Sequence, residues 1–570
     1  MMHLLDAVGR EPRIRYVCNH HEQASAMAAE GYARQKGALG VCYATSGPGG
    51  TNTLTGIVGA YLDSSPLLVV TGQSKRSQTL QEAKIDGLRQ FGVFEVDIVP
   101  IVKPVTKDAV FLNDPSRVRY ELERLIHLAV SGRPGPVLLD VPLDVQGALI
   151  DPESLEGYIA PESPRDFPDI ERAAASIELK LSAAERPIIL AGHGIRVANA
   201  SSEFAEFVNR VSVPVVTTSL AKDLLDYANP HFVGHPGPKG DRPGNFAVQT
   251  ADVIIALGCS MHVSTTGFEL DEFAPGAYII QVDVDKANLL RPGVNVAEKY
   301  QCDTRLLLSR LCAGTSQNQG TKTEHWLTTC QTWKNTYSVQ NEPHKIDPER
   351  ISYYRLVDQL SEIMGSDATL VTDAGSAYYV VGQAFRTKLG QRVIVSGGLG
   401  TMGFALPASI GAHCADTGRL TVCLTGDGSL QSNLHELQCL SHNGFPVKVV
   451  VASNNGYQSI RNTQANFFDG KLAGASNDSG VSMPCLEKLA EGFSIPYTSC
   501  SRIEELSQKL SCLFSTEGPA LLEVFTDERQ QIIPTVASRR LEDGTMKSQP
   551  LHNMFPYLPD AELKKALSFE

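Results

Sequence analysis

No run of eighteen apolar residues occurs in the 570-residue chain, so a hydrophobic membrane-spanning helix is not expected. The first residues, MMHLLDAVGREPR, lack the long apolar core and small-residue cleavage site of a secretory leader. Basic charge is scarce: 50 Lys and Arg against 63 Asp and Glu leave a net charge of −13 and a pI near 5.6. Phosphate contacts need a basic face, which argues against a nucleic-acid partner. The twelve cysteines never fall in CxxC spacing. That argues against a zinc site or a disulfide framework and for reduced thiols in a cytoplasm. The remaining composition, 42% hydrophobic and 20% charged, is that of an ordinary globular protein. The length calls for three or four domains.

Punctuation divides the chain. Residues 1–150 alternate strand-like and helix-like runs, and residues 151–169 (DPESLEGYIAPESPRDFPD) read as a linker. A second α/β pattern covers 170–312 with strands PIILAG, VPVVTT, VIIALG and YIIQVDVD. A polar linker, SQNQGTKT, occupies 316–323, and a third α/β unit spans about 350–530. The tail, 531–570, shows little periodicity before a helix-like DAELKKAL and is expected to cover a substrate channel. The expected fold is α/β, with three doubly wound parallel-sheet domains.

The densest chemistry lies in Gly426-Asp427-Gly428, with Asn454, Asn455 and Gly456 beginning twenty-seven residues after Asp427. Residues 420–424 (LTVCL) read as a buried strand, and Leu430, Leu434, Leu437 and Leu440 recur at helical spacing behind the turn. A second buried run, residues 447–452 (VKVVVA), ends just before Asn454. Both polar groups therefore leave the carboxyl ends of neighbouring parallel strands, the edge where open α/β sheets bind ligands. Asp427 offers an anionic oxygen, Asn454 a neutral one, and Gly456 a backbone carbonyl unobstructed by a Cβ. That set suits Mg²⁺, which takes about six oxygens, few of them from protein. Gly428 and Ser429 open the helix, so free N–H groups face a diphosphate.

Two further motifs compete for interpretation. Gly398-Leu399-Gly400-Thr401-Met402-Gly403 is a GxGxxG between a strand-like RVIVS and a helix-like LPASIGAHCA. Asp427 follows about 24 positions later, close to a dinucleotide-binding fingerprint and so to an NAD(P)-dependent dehydrogenase. That reading leaves the Asn454–Gly456 cluster unexplained. Near the N-terminus, His20-His21-Glu22-Gln23-Ala24 follows a strand-like IRYVC and enters a helix-like SAMAAEGYARQKG. By itself Glu22 reads as a first-turn carboxylate favoured by the helix dipole.

Taken together, these motifs resemble the thiamine diphosphate enzymes, whose pattern is GDG, 25 to 30 residues, then NN. Here it reads GDGSLQSNLHELQCLSHNGFPVKVVVASNN, with Ser453 at the first Asn of many members. HEQ…AAEGYAR, Tyr43 to Asn52 (YATSGPGGTN), Asp63-Ser64-Ser65-Pro66 and Ser131 to Pro142 (SGRPGPVLLDVP) resemble the acetolactate synthase group. The resemblance implies pyrimidine-binding, central and diphosphate-binding domains. Asp427, Asn454 and the Gly456 carbonyl would hold Mg²⁺. Cofactor contacts would come from Gly375, Ser376, Gly400, Met402, Gly426, Asp427, Gly428, Ser429, Asn454, Gly456 and Tyr457. The Gly400 carbonyl would accept from the cofactor's 4′-amino group, and Met402, which also reads as a core methionine, would wedge beneath the cofactor. Glu22 would bond the pyrimidine N1′ and drive its imino tautomer. It would act in trans, in a homodimer or homotetramer with active sites between subunits. Gln73 and Lys107 would lie near the active-site channel. His20 and His21 read equally well as structural.

The chain also departs from that group. The strand, helix and Gly-Gly loop expected before Met1 are missing, so the first domain reads as incomplete. A Met-Val-x-Gln-Trp run after the metal Asn is replaced by Gln458-Ser459-Ile460-Arg461-Asn462-Thr463-Gln464. Arg461, Asn462 and Gln464 are polar donors suited to a hydroxyl-rich acceptor, and they read equally well as a solvated loop. The central domain keeps the Gly192-His193-Gly194 turn, Thr217 to Ser219 and Asp283 to Asp285. An Arg-Phe-Asp-Asp-Arg segment that holds FAD is instead Ser260-Met261-His262-Val263-Ser264, which leaves FAD open. The expected reaction is decarboxylation of a 2-keto acid, pyruvate first, with transfer of the two-carbon unit to a 2-keto acid or a nucleotide-linked keto sugar. Simple decarboxylation is the alternative within catalysis. A silent structural homologue is disfavoured, because Glu22 and Asp427 are both present.

Overall fold

The apolar runs form three separate sheets in the computed structural model, which describes residues 1–161, 169–314, 321–344, 349–540 and 543–568. The first sheet contains β1 (Gly40–Ala44), β2 (Leu67–Gln73), β3 (Asp108–Phe111) and β4 (Pro136–Pro142) in the order β1-β2-β4-β3. The second contains β5 (Pro187–Ala191), β6 (Val215–Thr217), β7 (Phe232–Gly234), β8 (Val253–Leu257), β9 (Tyr278–Asp283) and β10 (Glu298–Gln301). Its order is β10-β9-β8-β5-β6-β7. The third contains β11 (Thr369–Thr372), β12 (Arg392–Val395), β13 (Thr421–Gly426), β14 (Lys448–Ser453), β15 (Tyr497–Cys500) and β16 (Ala520–Phe525). Its order is β12-β11-β13-β14-β16-β15. Every pairing in the three sheets is parallel.

Alternation along each strand explains the double winding. In the third sheet Leu370, Val422, Leu424, Val450 and Leu522 feed one core, while Val371, Cys423, Val449, Val451 and Leu521 feed the other. The central sheet divides likewise, with Ile189, Ile255 and Ile280 on one side and Ile188, Ile254 and Ile279 on the other. A strand buried on both faces reads as a continuous apolar run, which is why these segments are legible from sequence. The three units are doubly wound parallel-sheet domains.

Two local expectations change. Residues 14–18 form no strand. They cross instead to the third domain, where Val17 joins its core and Arg15 lies over the Phe445 ring. Behind the GDG turn the helix is interrupted: Asp427–Leu430 is α-helical, Gln431–Glu436 is 3₁₀, and Leu437–Asn443 is α-helical again. Asn433 leaves helical geometry (φ −140°, ψ 31°), and its amide donates to Gly403 O at 2.7 Å. The tail packs on the central domain, with Leu551, Leu563 and Ala566 joining Trp326 and Trp333 in one core. Arg242 fastens it, donating to Met554 O and Pro556 O. Residues 162–168 and 316–320 of the expected linkers lie outside the described residues, and residues 321–323 already belong to the Thr321–Thr336 helix.

The first and third domains meet along the Glu22–Lys36 and Ala405–Ala415 helices. A Cβ at Gly31 would lie 2.1 Å from Ala408 O, and one at Gly411 would lie 1.7 Å from Ala28 O. Only glycine permits this backbone approach. Beside the crossing, buried Arg34 donates to Val395 O at 2.6 Å and pairs with Asp63 at 3.2 Å and Glu30 at 3.5 Å. Burial raises both carboxyls against the pull of Arg34.

Candidate active site

Register places the metal-type residues. β13 and β14 pair with Gly426 opposite Ala452, so Asp427 and Asn454 emerge side by side at their carboxyl ends. Both are buried. Asp427 Oδ2 accepts the backbone N–H of Asn454 at 3.0 Å and of Gly456 at 3.3 Å, while Oδ1 accepts Gly428 N–H at 2.8 Å. One carboxylate thus joins the GDG turn to the Asn454–Gly456 turn. Burial raises its pKa, and the surrounding N–H groups pull the other way. Among the described residues, no group of three or more His, Cys, Asp or Glu side chains could hold a metal. A carboxylate, an amide oxygen and a main-chain carbonyl fit a hard cation that completes its shell with phosphate and water.

A candidate anion site adjoins this corner. Gly375 caps the nine-residue Ser376–Ala384 helix, which begins just beyond β11, the neighbour of β13. Ser376 Oγ is buried and has no hydrogen-bond partner. An orphaned hydroxyl at a helix N-terminus is what a bound diphosphate would satisfy. On the other side Tyr457 lies against the GDG turn. A Cβ at Gly428 would come within 2.5 Å of the Tyr457 ring, so glycine is required there by the aromatic as well as by any phosphate.

The GLGTMG loop presents its tip to solvent. Gly398, Leu399, Gly400 and Met402 are exposed; at 39% exposure, Met402 is not a core methionine. The loop base is held by residues far apart in sequence. Asp63 accepts Gly397 N–H at 2.9 Å and Gly398 N–H at 2.6 Å. Ser396 Oγ accepts Thr401 N–H, Ser429 Oγ accepts Gly403 N–H, and Asp373 Oδ1 accepts Ala405 N–H at 2.7 Å. Burial pushes the Asp373 carboxyl up to about 6. Sequence reading missed Asp373, Ser396 and Asn433 as supports. The signal for Asp373 was present in TDAG, where an acid follows a strand and precedes a glycine turn.

Glu22 opens its helix. His21 Nδ1 accepts Gln23 N–H at 3.0 Å, which gives that histidine a structural capping role. Glu436 Oε1 accepts the N–H groups of His20 and His21 at 2.9 and 3.0 Å, fixing the helix entry. Glu22 itself is half-buried and accepts from Asn52 Nδ2 at 3.0 Å. Among the described residues it has no hydrogen bond to residues 396–403, 427–429 or 453–457. Phe91, Val93 and Phe94 stand exposed nearby, with the Phe94 backbone against Gly47 of the glycine-rich turn.

Comparison with known proteins decides the family. The chain matches three family profiles: "Thiamine pyrophosphate enzyme, N-terminal TPP binding domain" over residues 1–93, "central domain" over 172–311, and "C-terminal TPP binding domain" over 373–524. It is 32% identical over 532 residues to the acetolactate synthase large subunit of Cyanidium caldarium, covering 92% of this chain and 88% of that protein. It is 33% identical over 525 residues to the acetolactate synthase isozyme 2 large subunit of Escherichia coli K12, covering 92% and 90%. A probable acetolactate synthase large subunit from Methanocaldococcus jannaschii is 32% identical over 533 residues, covering 91% and 86%. The chain belongs to the acetolactate synthase-like thiamine pyrophosphate enzymes. Thiamine diphosphate is its cofactor.

For an acetolactate synthase-like enzyme the GxGxxG carries no dinucleotide site. β12, which leads into it, is the sheet edge, and β11 separates it from β13 and Asp427. The dinucleotide-type strand order, 3-2-1-4-5-6 counted from β5, occurs in the central domain instead. At the carboxyl ends of β5 and β8 a cavity of about 250 Å³ opens beside Gly192, His193, Gly258 and Ser260. Between Ser260 and Ser264 the one charged-type side chain, His262, caps Ser264. The Arg-Phe-Asp-Asp-Arg run that would hold FAD has no counterpart in the Ser260–Ser264 side chains.

Four expected substrate-pocket residues are otherwise engaged. Gln73, at the carboxyl end of β2, donates to Val96 O at 2.8 Å and Asp140 Oδ2 at 3.0 Å. Lys107 precedes β3, and its backbone bonds Pro136 at the amino end of β4, while Gln73 pairs with Pro142 at the other end. Six residues of strand separate those levels by about 20 Å. The structure therefore does not bring Gln73 and Lys107 together, and Lys107 Nζ bonds Ser131 O at 2.6 Å. Gln464 exchanges two hydrogen bonds of 3.0 Å with the Ala473 backbone. Arg461 turns toward the metal corner, and Asn462 donates to Gln530 O. The donors expected to meet a hydroxyl-rich acceptor are committed to the protein backbone.

Among the described residues, no helix is long and apolar enough to cross a membrane.

Proposed function

We propose that this enzyme decarboxylates a 2-keto acid, pyruvate first, and transfers the two-carbon unit to a carbonyl acceptor, a 2-keto acid or a keto sugar. Mg²⁺ would be held by Asp427, Asn454 and the Gly456 carbonyl. The observation that carries the reading is the single Asp427 carboxylate that locks the two turns at the ends of β13 and β14, beside the unpaired Ser376 hydroxyl. Bound thiamine diphosphate supplies a C2 carbon that, once deprotonated, adds a keto acid and stabilises the charge left when CO₂ departs. The Ser429 N–H and the Ser376 hydroxyl would face its phosphates, while Gly428 N–H is already given to Asp427 Oδ1. The Gly400 carbonyl would accept from its amino group, with Met402 beneath. The Glu22 carboxyl would hold and return a proton at the pyrimidine N1′. Free cysteines at all twelve positions are in keeping with cytoplasmic residence.

The two halves of the site belong to different copies in this reading. Among the described residues Glu22 has no hydrogen bond to the cofactor loop of its own chain, and the tip of that loop is exposed. Two-fold pairing would place each Glu22, with Phe91, Val93 and Phe94, against the loop of the other copy. A homodimer is the minimum assembly.

Incubation of the purified protein with thiamine diphosphate, Mg²⁺ and pyruvate is expected to release CO₂, with ligated products when keto acids or keto sugars are added. Bound cofactor without CO₂ release overturns the donor. CO₂ with free aldehyde and no ligation in the whole panel overturns the transfer. Mixing dissociated and reassociated Glu22→Gln and Asp427→Asn chains is expected to restore about a quarter of wild-type activity. Half of the dimers are then mixed, and each carries one intact site. No restoration, with mixed dimers demonstrated, rejects a site in trans.

A further inference from the structure

The side chain best placed to govern the metal corner is one that motif reading sends elsewhere. Arg461 lies one turn into the Gln458–Phe467 helix and is buried. Its Nη2 donates to Asn454 O at 2.8 Å and to Asn454 Oδ1 at 3.3 Å. Its Nη1 donates to Asn455 O at 3.1 Å and to Ala475 O at 3.2 Å. Nε has no partner. All four contacts therefore reach either the metal turn or the segment behind it, and none points outward to a substrate. Ala475 O also receives Tyr457 N–H at 3.1 Å, and Tyr457 packs on Gly428. Gln458 completes the frame, accepting from Asn454 Nδ2 at 3.1 Å.

A turn with Asn455 at φ +59° and Gly456 at φ +133° is costly to hold unless its surroundings determine it. The buried Asn454 carbonyl would otherwise lack this donor. A guanidinium is suited to the task, because its rigid fork can serve several oxygens at once and stays charged when buried. A lysine ammonium in the same place could reach only some of them.

We propose that Arg461 is the positioning residue of the Mg²⁺ site: it fixes the backbone of the Asn454–Asn455 turn that carries the ligands and ties it to the segment around Ala475. This rests on the assignment of Asp427, Asn454 and Gly456 as the metal site. It makes Arg461 a determinant of metal affinity and not of acceptor choice.

The test uses the full-length protein with Mg²⁺ and thiamine diphosphate as probes, titrated by calorimetry, alongside kcat and KM for pyruvate. Arg461→Lys is expected to weaken Mg²⁺-dependent cofactor binding by roughly 10- to 100-fold, the range for residues that orient metal ligands. At saturating Mg²⁺ the KM for pyruvate and the product pattern with different acceptors should match wild type. Wild-type Mg²⁺ affinity in the variant, or a changed acceptor pattern at unchanged affinity, overturns the proposal. If the wild type itself shows no Mg²⁺-dependent cofactor binding, the metal-site assignment fails, and with it the premise. Should the variant not fold, hydrogen exchange on the wild type decides. Peptides spanning 454–461 and 473–481 should gain protection together on adding Mg²⁺ and thiamine diphosphate. Protection of the first alone rejects the link.

Discussion

Glu22→Gln is expected to lower turnover by roughly 10²- to 10⁴-fold, the contribution of a positioned proton-transfer group. Cofactor and Mg²⁺ affinity should stay within a few-fold of wild type. The geometry separates the two effects. Glu22 accepts one hydrogen bond, from Asn52 Nδ2, and the glutamine carbonyl can accept the same bond. Its helix entry is fixed independently by Glu436 and His21. The change therefore removes proton chemistry while leaving the fold and the diphosphate corner in place. Stability should move by less than about 0.5 kcal/mol, as for an isosteric change away from a core. Steady-state kinetics, calorimetric binding and thermal unfolding check the three parts. Full turnover in this variant would reject Glu22 as the proton-handling residue. Lost cofactor binding would assign it to the diphosphate corner instead.

Asp427→Asn is expected to abolish measurable Mg²⁺-dependent cofactor binding, a loss beyond the roughly 100-fold reached by residues that only orient metal ligands. Two causes add. The site loses its one anionic oxygen, which a hard cation needs most. The amide also disturbs the turn. Both carboxylate oxygens accept backbone N–H groups, from Gly428 on one side and from Asn454 and Gly456 on the other. Whichever way the amide is placed, its NH₂ meets an N–H donor, at a cost of about 1–3 kcal/mol for the group left unpaired. Because Gly456 belongs to that turn, the carbonyl offered to the metal shifts as well. Calorimetry with thiamine diphosphate and Mg²⁺ reads the outcome. Near-wild-type affinity in the variant would exclude Asp427 as a metal ligand.

Much of this site is encoded locally. The GDG turn, the strand before it and the strand that ends before Asn454 fall within about thirty residues, and parallel neighbours bring their carboxyl ends together by register alone. The Glu22–Lys36 helix is equally legible, from its Ala-rich run of helix formers and the glutamate at its first turn. Continuous apolar runs give the doubly wound class, because strands covered on both faces have no polar side to alternate with. Those runs do not give strand order. The GxGxxG was ambiguous for that reason: only the sheet shows β12 at an edge, with β11 between it and Asp427.

Assignments that depend on hydrogen-bond partners at long range were not legible. Asp63 reaches Gly397 and Gly398 across two domains, and Asn433 leaves its helix to serve Gly403. Arg461 and Gln464 read as donors awaiting a substrate, yet folding commits them to the carbonyls of Asn454, Asn455, Ala475 and Ala473. Lys107 and Gln73 sit at opposite ends of one sheet, although either alone suits a channel wall. The sequence by itself determined the domain class, the corner where the Asp427 and Asn454 turns meet and the helix that begins at Glu22, because strand burial, turn chemistry and helix-forming residues act between near neighbours. Tertiary structure alone decided which polar side chains remain free for chemistry, because every buried donor and acceptor must find a partner and long-range packing chooses which one.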